Sequence, residues 1–75
     1  MSKLPRVTGK EMVRALQRAG FVEDRQKGSH LTLLHPETRL RTVVPIRGRA
    51  LGPGLTHSIL KQAGLTAEDL RRLLK

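Results

Sequence analysis

Cysteine is absent from the 75 residues, which removes disulfides and thiolate metal sites from consideration. Aromatic residues are nearly absent too, Phe21 being the only one. A surface that binds single strands by stacking bases on several rings is therefore not expected. No apolar run approaches the ~20 residues that span a bilayer, and the N-terminus has no apolar signal core. These absences lead us to expect a soluble, cytoplasmic protein. No His and carboxylate set has zinc-ligand spacing, so neither a metal nor another cofactor is expected. Acidic residues are scarce: six Asp and Glu face fifteen Lys and Arg, for a formal net charge of +9. Such a chain attracts polyanions, because neutralising a phosphate backbone releases its condensed counterions. Charge alone does not separate RNA, DNA, an acidic membrane and an acidic protein.

What is present is periodic. Thr8 is a helix N-cap, and Glu11 stands three residues on at the capping-box spacing. Met12, Leu16 and Ala19 follow on one helical face, and Gly20 ends the helix. Phe21 to Arg25 reads as a short strand and Gln26 to Ser29 as a polar turn. His30 to His35 reads as a second strand, Pro36 to Thr38 as a turn, and Arg39 or Leu40 to Ile46 as a third strand. Pro45 places that last strand at an edge or at a bulge. Gly48 to Gly54 is a loop. A helix then runs from Pro53 or Gly54 to Ala63, with Leu55, Ile59 and Ala63 as its buried stripe and Leu60 beside them. Thr66 caps a short last helix, with Leu70, Leu73 and Leu74 on one side. Sequential strands with short turns favour an antiparallel meander, covered on one face by helices from both ends of the chain. The expectation is a single α+β domain over residues 1–75, a two-layer sandwich, with no repeat and no linker.

The segment from Arg25 to His30 concentrates chemistry. RNA can be cut by its own 2′-hydroxyl when one group takes that proton and positive charge lies near the phosphate. Histidine titrates in the right range for the first task. Arg25 and Lys27 suit the second, through charge-assisted hydrogen bonds. Gly28 allows close approach of backbone to a phosphate, and Ser29 adds a hydroxyl. Strand alternation puts His30 and Thr32 opposite to Leu31 and Leu33, on the face away from the helices, and Leu34 shares that face. A solvated polar turn beside an ordinary surface histidine is the competing reading of the same residues. His35 has the opposite parity to His30, so the two make a poor metal pair, and His57 is placed on the solvent side of its helix. From Arg25 to Arg49 there are six cations and one anion, Glu37, which makes the sheet side the positive side.

Taken in order, these stretches resemble the HicA toxin family across nearly the whole chain. The matching segments are Arg18-Ala19-Gly20-Phe21 and Arg25-Gln26-Lys27-Gly28-Ser29-His30. Then come His35-Pro36, Thr42-Val43-Val44-Pro45, Pro53-Gly54-Leu55 and Ser58 through Leu65. The resemblance implies a fold like the double-stranded RNA-binding domain. It also implies a metal-independent endoribonuclease, of the hydrolase class, that cuts mRNA. In a type II toxin–antitoxin pair, a HicB-type antitoxin neutralises it. The family's catalytic histidine falls on His30, with Gly28 and Ser29 as motif neighbours; Arg25, Lys27, Gly28 and Ser29 are the candidate substrate-binding residues. The chain departs from many members at Leu31 and Arg47, where they carry histidine, and at Gly52, where they carry lysine. Two other classes fit the residues less fully: a non-catalytic RNA-binding module, and an interaction protein that only docks an antitoxin.

Overall fold

The computed structural model describes residues 4–75; the first three residues of the expected domain lie outside the described residues. In chain order the elements are α1 (Gly9–Arg18), β1 (Val22–Lys27), β2 (His30–Leu34), β3 (Arg41–Pro45), α2 (Pro53–Ala63) and α3 (Ala67–Leu73). This is an α+β fold with helix–sheet–helix order. The sheet is an antiparallel meander in the order β1-β2-β3.

Helix α1 starts on a complete capping box. The Thr8 hydroxyl accepts from the Glu11 amide at 3.2 Å, and the Thr8 amide donates to Glu11 Oε1 at 2.8 Å. Its Met12, Val13, Ala15 and Leu16 are buried, where they meet Leu31, Leu33 and Val44 from the inner face of the sheet. Its first turn lies directly on the end of β3. A side chain at Gly9 would run into the Pro45 carbonyl, and its Cβ would lie 2.9 Å from Ile46 Cα. Backbone therefore meets backbone here, and only glycine permits it.

Helix α2 differs from the expected pattern. Thr56, Ile59, Leu60 and Ala63 are buried, while Leu55 is 42% exposed. The buried set has i, i+3, i+4, i+7 spacing, and Leu55 stands one residue behind it at the first turn. Thr56 takes the inward place because its hydroxyl donates to the Gly52 carbonyl at 2.9 Å, so it can be buried without an unpaired polar atom. Helix α3 contributes Leu70 to the core and carries its own capping box, Thr66 with Asp69. Arg18 of α1 donates to the carbonyls of Leu73 and Lys75, at 2.6 and 3.0 Å, which ties α3 to α1.

Strand β1 is longer than expected and the first turn shorter. Gln26 and Lys27 pair with Leu31 and His30, so the turn is only Gly28-Ser29, with Gly28 at φ +61°. A two-residue hairpin loop needs positive φ, which glycine supplies at little cost. Glu23 and Asp24, poor strand formers, are accommodated by a bulge between Glu23 and Arg25 that leaves Asp24 outside the ladder. β1 is exposed along its whole length, because the helices cover β2 and β3 and leave the β1 edge overhanging. β3 begins at Arg41 rather than at Arg39 or Leu40, since Arg39 adopts φ +66° and closes the preceding turn. Pro45 ends an edge strand, where its missing N–H breaks no ladder bond.

Candidate nucleic-acid interface

His30 is the first residue of β2 and is exposed, while Leu31 and Leu33 are buried. The ring therefore stands on the open face of the sheet, opposite to the helices. Its cross-strand partners are Lys27 on one side and Pro45 on the other. Directly opposed residues have Cβ atoms about 4.5–5.5 Å apart, and diagonal ones about 7–8 Å. Lys27 is the direct neighbour and Arg25 the diagonal one, so both cations share the face of His30. Among the described residues, no side-chain hydrogen bond or ion pair engages Arg25, Lys27 or His30. The acid on this side of the chain is committed elsewhere. Asp24 pairs with Arg41 at 3.8 Å, across the end of the sheet that lies away from His30. That pair is solvent-exposed and contributes on the order of 0–1 kcal/mol. Its effect on the site is to leave the hairpin end positive.

The structure brings Arg25, Lys27 and His30 onto one face, with Gly28 and Ser29 at its end, in the loop that joins Lys27 to His30. Gly28 and Ser29 form the tip of the hairpin, and they also border a cleft on the other, helix-facing side. This cleft, of about 430 Å³, is lined by Lys10, Gln26, Gly28, Ser29, Arg47 and Gly48 among others. The Gln26 side chain donates to the Gly28 carbonyl at 3.0 Å and the Ile46 amide to the Ser29 carbonyl at 2.8 Å. Both bonds hold the tip in place. Reading the sequence missed Lys10 as part of any site. Helical periodicity marks it only as an outward position, and nothing in the local pattern shows that α1 begins beside the β1–β2 turn.

His35 has a structural place. Its Nδ1 accepts from the amides of Glu37 and Thr38 at 3.1 and 3.2 Å, and its ring meets the Phe21 ring edge-to-face at 5.1 Å. The imidazole organises the β2–β3 turn instead of facing solvent with His30. His57 is exposed on α2. Among the described residues, no group of three or more His, Cys, Asp or Glu side chains is placed to hold a metal ion. No described helix is long and apolar enough to cross a membrane.

A family model described as the HicA toxin of bacterial toxin–antitoxin matches residues 9–65. The chain belongs to the HicA toxin family. It is thus a toxin of a toxin–antitoxin system, and the match runs from the first turn of α1 to just beyond α2. No curated protein matches the chain. Within this HicA-family chain, the departure at residue 31 has a simple place in the fold. Leu31 is 4% exposed and packs in the core, so it lies on the face that His30 does not use. The departure at Arg47 puts a cation in the cleft, and Gly52 is the backbone cap of α2.

Proposed function

We propose that this toxin is an endoribonuclease that cuts mRNA without a metal, with His30 as the catalytic base. The observation that carries the reading is the exposed His30 ring on the open sheet face, with Lys27 opposite it and Arg25 diagonal to it. In the reaction His30 takes the proton of a ribose 2′-hydroxyl. The 2′-oxygen attacks the adjacent phosphorus, the bond to the 5′-oxygen breaks, and that oxygen leaves with a proton from water. The products are a 2′,3′-cyclic phosphate and a 5′-hydroxyl end. Lys27 and Arg25 hold the phosphate and offset the charge that builds on it. Gly28 keeps the tip narrow enough for backbone and phosphate to meet, and Ser29 offers a hydroxyl there.

A HicB-type antitoxin neutralises the enzyme by covering the open face. Supporting this part, Val22 and Val43 are 50% and 42% exposed and border the cations on that face. This suits a partner with apolar and acidic groups. Residues 1–75 act as one domain in the cytoplasm.

The test is incubation of labelled RNA with the purified protein and with His30→Ala, in the presence and absence of EDTA. We expect wild-type cutting to survive EDTA and the variant to lose about 10²–10⁴-fold in rate. Equal cutting by the variant would remove His30 from the mechanism.

A further inference from the structure

Two clefts meet on the helix-facing side of the β1 overhang. The first is the one at the hairpin tip. The second, of about 270 Å³, runs between α1 and β1 past Arg14, Gln17 and Glu23. Lys10, Gln26 and Ile46 line both, so together they form one groove that starts where the Gly28-Ser29 turn crosses from one sheet face to the other.

The charge in this groove is free. Glu11, the acid nearest Lys10 in sequence, has its carboxylate turned back onto the Thr8 amide by the capping box. Glu23 accepts from the Gln17 side chain at 3.4 Å, at the far end. The ion pairs of the described residues are Arg41 with Asp24, Arg71 with Glu68 and Arg72 with Asp69, and none involves Lys10, Arg14 or Arg47. The tip is also uncrowded: no atom comes within 4 Å of the place where a Cβ would stand at Gly28 or at Gly48. A 430 Å³ recess lies in the range of about 300–1,000 Å³ typical of small-ligand sites, so it has room for one nucleotide unit. Two unpaired cations and an amide side chain are the chemistry that a phosphodiester seeks.

We propose that the Lys10–Arg47 cleft is a second phosphate subsite, which holds a backbone phosphate of single-stranded RNA next to the linkage cut at His30. The proposal rests on the reading of His30 as an RNA-cutting residue. The RNA strand crosses the narrow Gly28-Ser29 tip, with the reacting phosphate against Lys27 and Arg25 on the open face and a neighbouring phosphate against Lys10 and Arg47 behind it. A hairpin end only two residues wide makes that crossing short. With a single aromatic residue, Phe21, and that one buried, the protein grips RNA through phosphates on both sides of the tip.

The test measures binding in the uncut state. A fluorescein-labelled 12-residue oligoribonucleotide is titrated by anisotropy into the His30→Ala protein over a series of salt concentrations. The comparison is His30→Ala with Lys10→Ala and Arg47→Ala added. A charge-matched control adds Arg6→Ala and Lys61→Ala instead, two exposed cations outside the groove. We expect the cleft variant to bind about tenfold or more weakly. Its salt slope should be reduced by about 0.7, the contribution of one neutralised single-strand phosphate. The control should bind within about threefold of the parent. In parallel, amide NMR signals of Gly28, Ser29 and Gly48 should shift when the oligonucleotide is added. An unchanged Kd and slope in a folded cleft variant, or an equal loss in the control, overturns the subsite. So do NMR shifts confined to the open face. Because the assay reads binding and not cutting, it decides the cleft even if wild-type protein fails to cleave; that failure would count against His30 alone.

Discussion

His30 and His35 are five residues apart and do opposite things. His30 is exposed on the open face with no partner, so replacing it should leave the fold alone. We expect His30→Ala to melt within about 0.5 kcal/mol of wild type, as surface substitutions usually do. His35 accepts from two backbone amides and presses its ring on Phe21. His35→Ala leaves those amides without their acceptor and opens space beside Phe21, and should cost about 1–3 kcal/mol. Chemical denaturation of the two variants side by side checks both. Gly9 makes a sharper case, because the obstacle to a side chain is the Pro45 carbonyl and the Ile46 backbone. Gly9→Ala should destabilise by about 2 kcal/mol or more, since backbone does not yield as a flexible side chain does. Arg39 sits at φ +66°, which costs a non-glycine residue roughly 1 kcal/mol. Arg39→Asn should therefore raise stability slightly, read as a higher denaturation midpoint.

The elements were largely legible in the sequence because their signals are local. Thr8 with Glu11 and Thr66 with Asp69 form the expected capping boxes, and the alternation His30-Leu31-Thr32-Leu33 sorts the two faces of β2 as parity requires. Less legible was β1, whose acidic residues argue against a strand locally. Pairing with β2 overrides that preference and the bulge absorbs the misfit. The orientation of α2 was also misread at Leu55, since an apolar residue one step off the stripe looks like part of it until the sheet beneath is known. For the site, nearness in sequence grouped His30 with Arg25 and Lys27, and parity was enough to put His30 on the face away from the helices. It could not show that Gly28 and Ser29 border a recess completed by Lys10 and Arg47 from elements distant in sequence. Helix α3 allows a prediction at this scale. The Thr66 amide, then the Arg72 guanidinium, hold the Asp69 carboxyl below its ordinary value of 3.8. A depressed carboxylate contributes stability above its unfolded pKa, and that contribution fades as pH falls through the folded value. The α3 cap should therefore loosen only below about pH 3.8, with Asp69→Asn removing the dependence. Hydrogen exchange at the Leu70 amide across pH 2–5 reads this directly.

At the scale of the molecule, the formal charge of +9 on 75 residues opposes compaction through self-repulsion. Added salt screens that repulsion over a Debye length of about 10 Å at 0.1 M. Melting temperature should therefore rise as sodium chloride goes from 10 to about 200 mM, the reverse of what a fold resting on its surface ion pairs would show. RNA affinity should move the other way over the same range, since every phosphate contact is weakened by salt. Scanning calorimetry and anisotropy on one protein preparation would display the two opposed trends. The overhanging β1 has a colloidal consequence as well. A bare strand edge is ordinarily a template on which further chains stack. Here that edge is broken by the displaced Asp24 and studded with both signs of charge from Glu23 to Lys27. A copy approaching it meets a mismatch in register before it meets a hydrogen-bond partner, and concentrated protein should stay dispersed instead of growing into sheets.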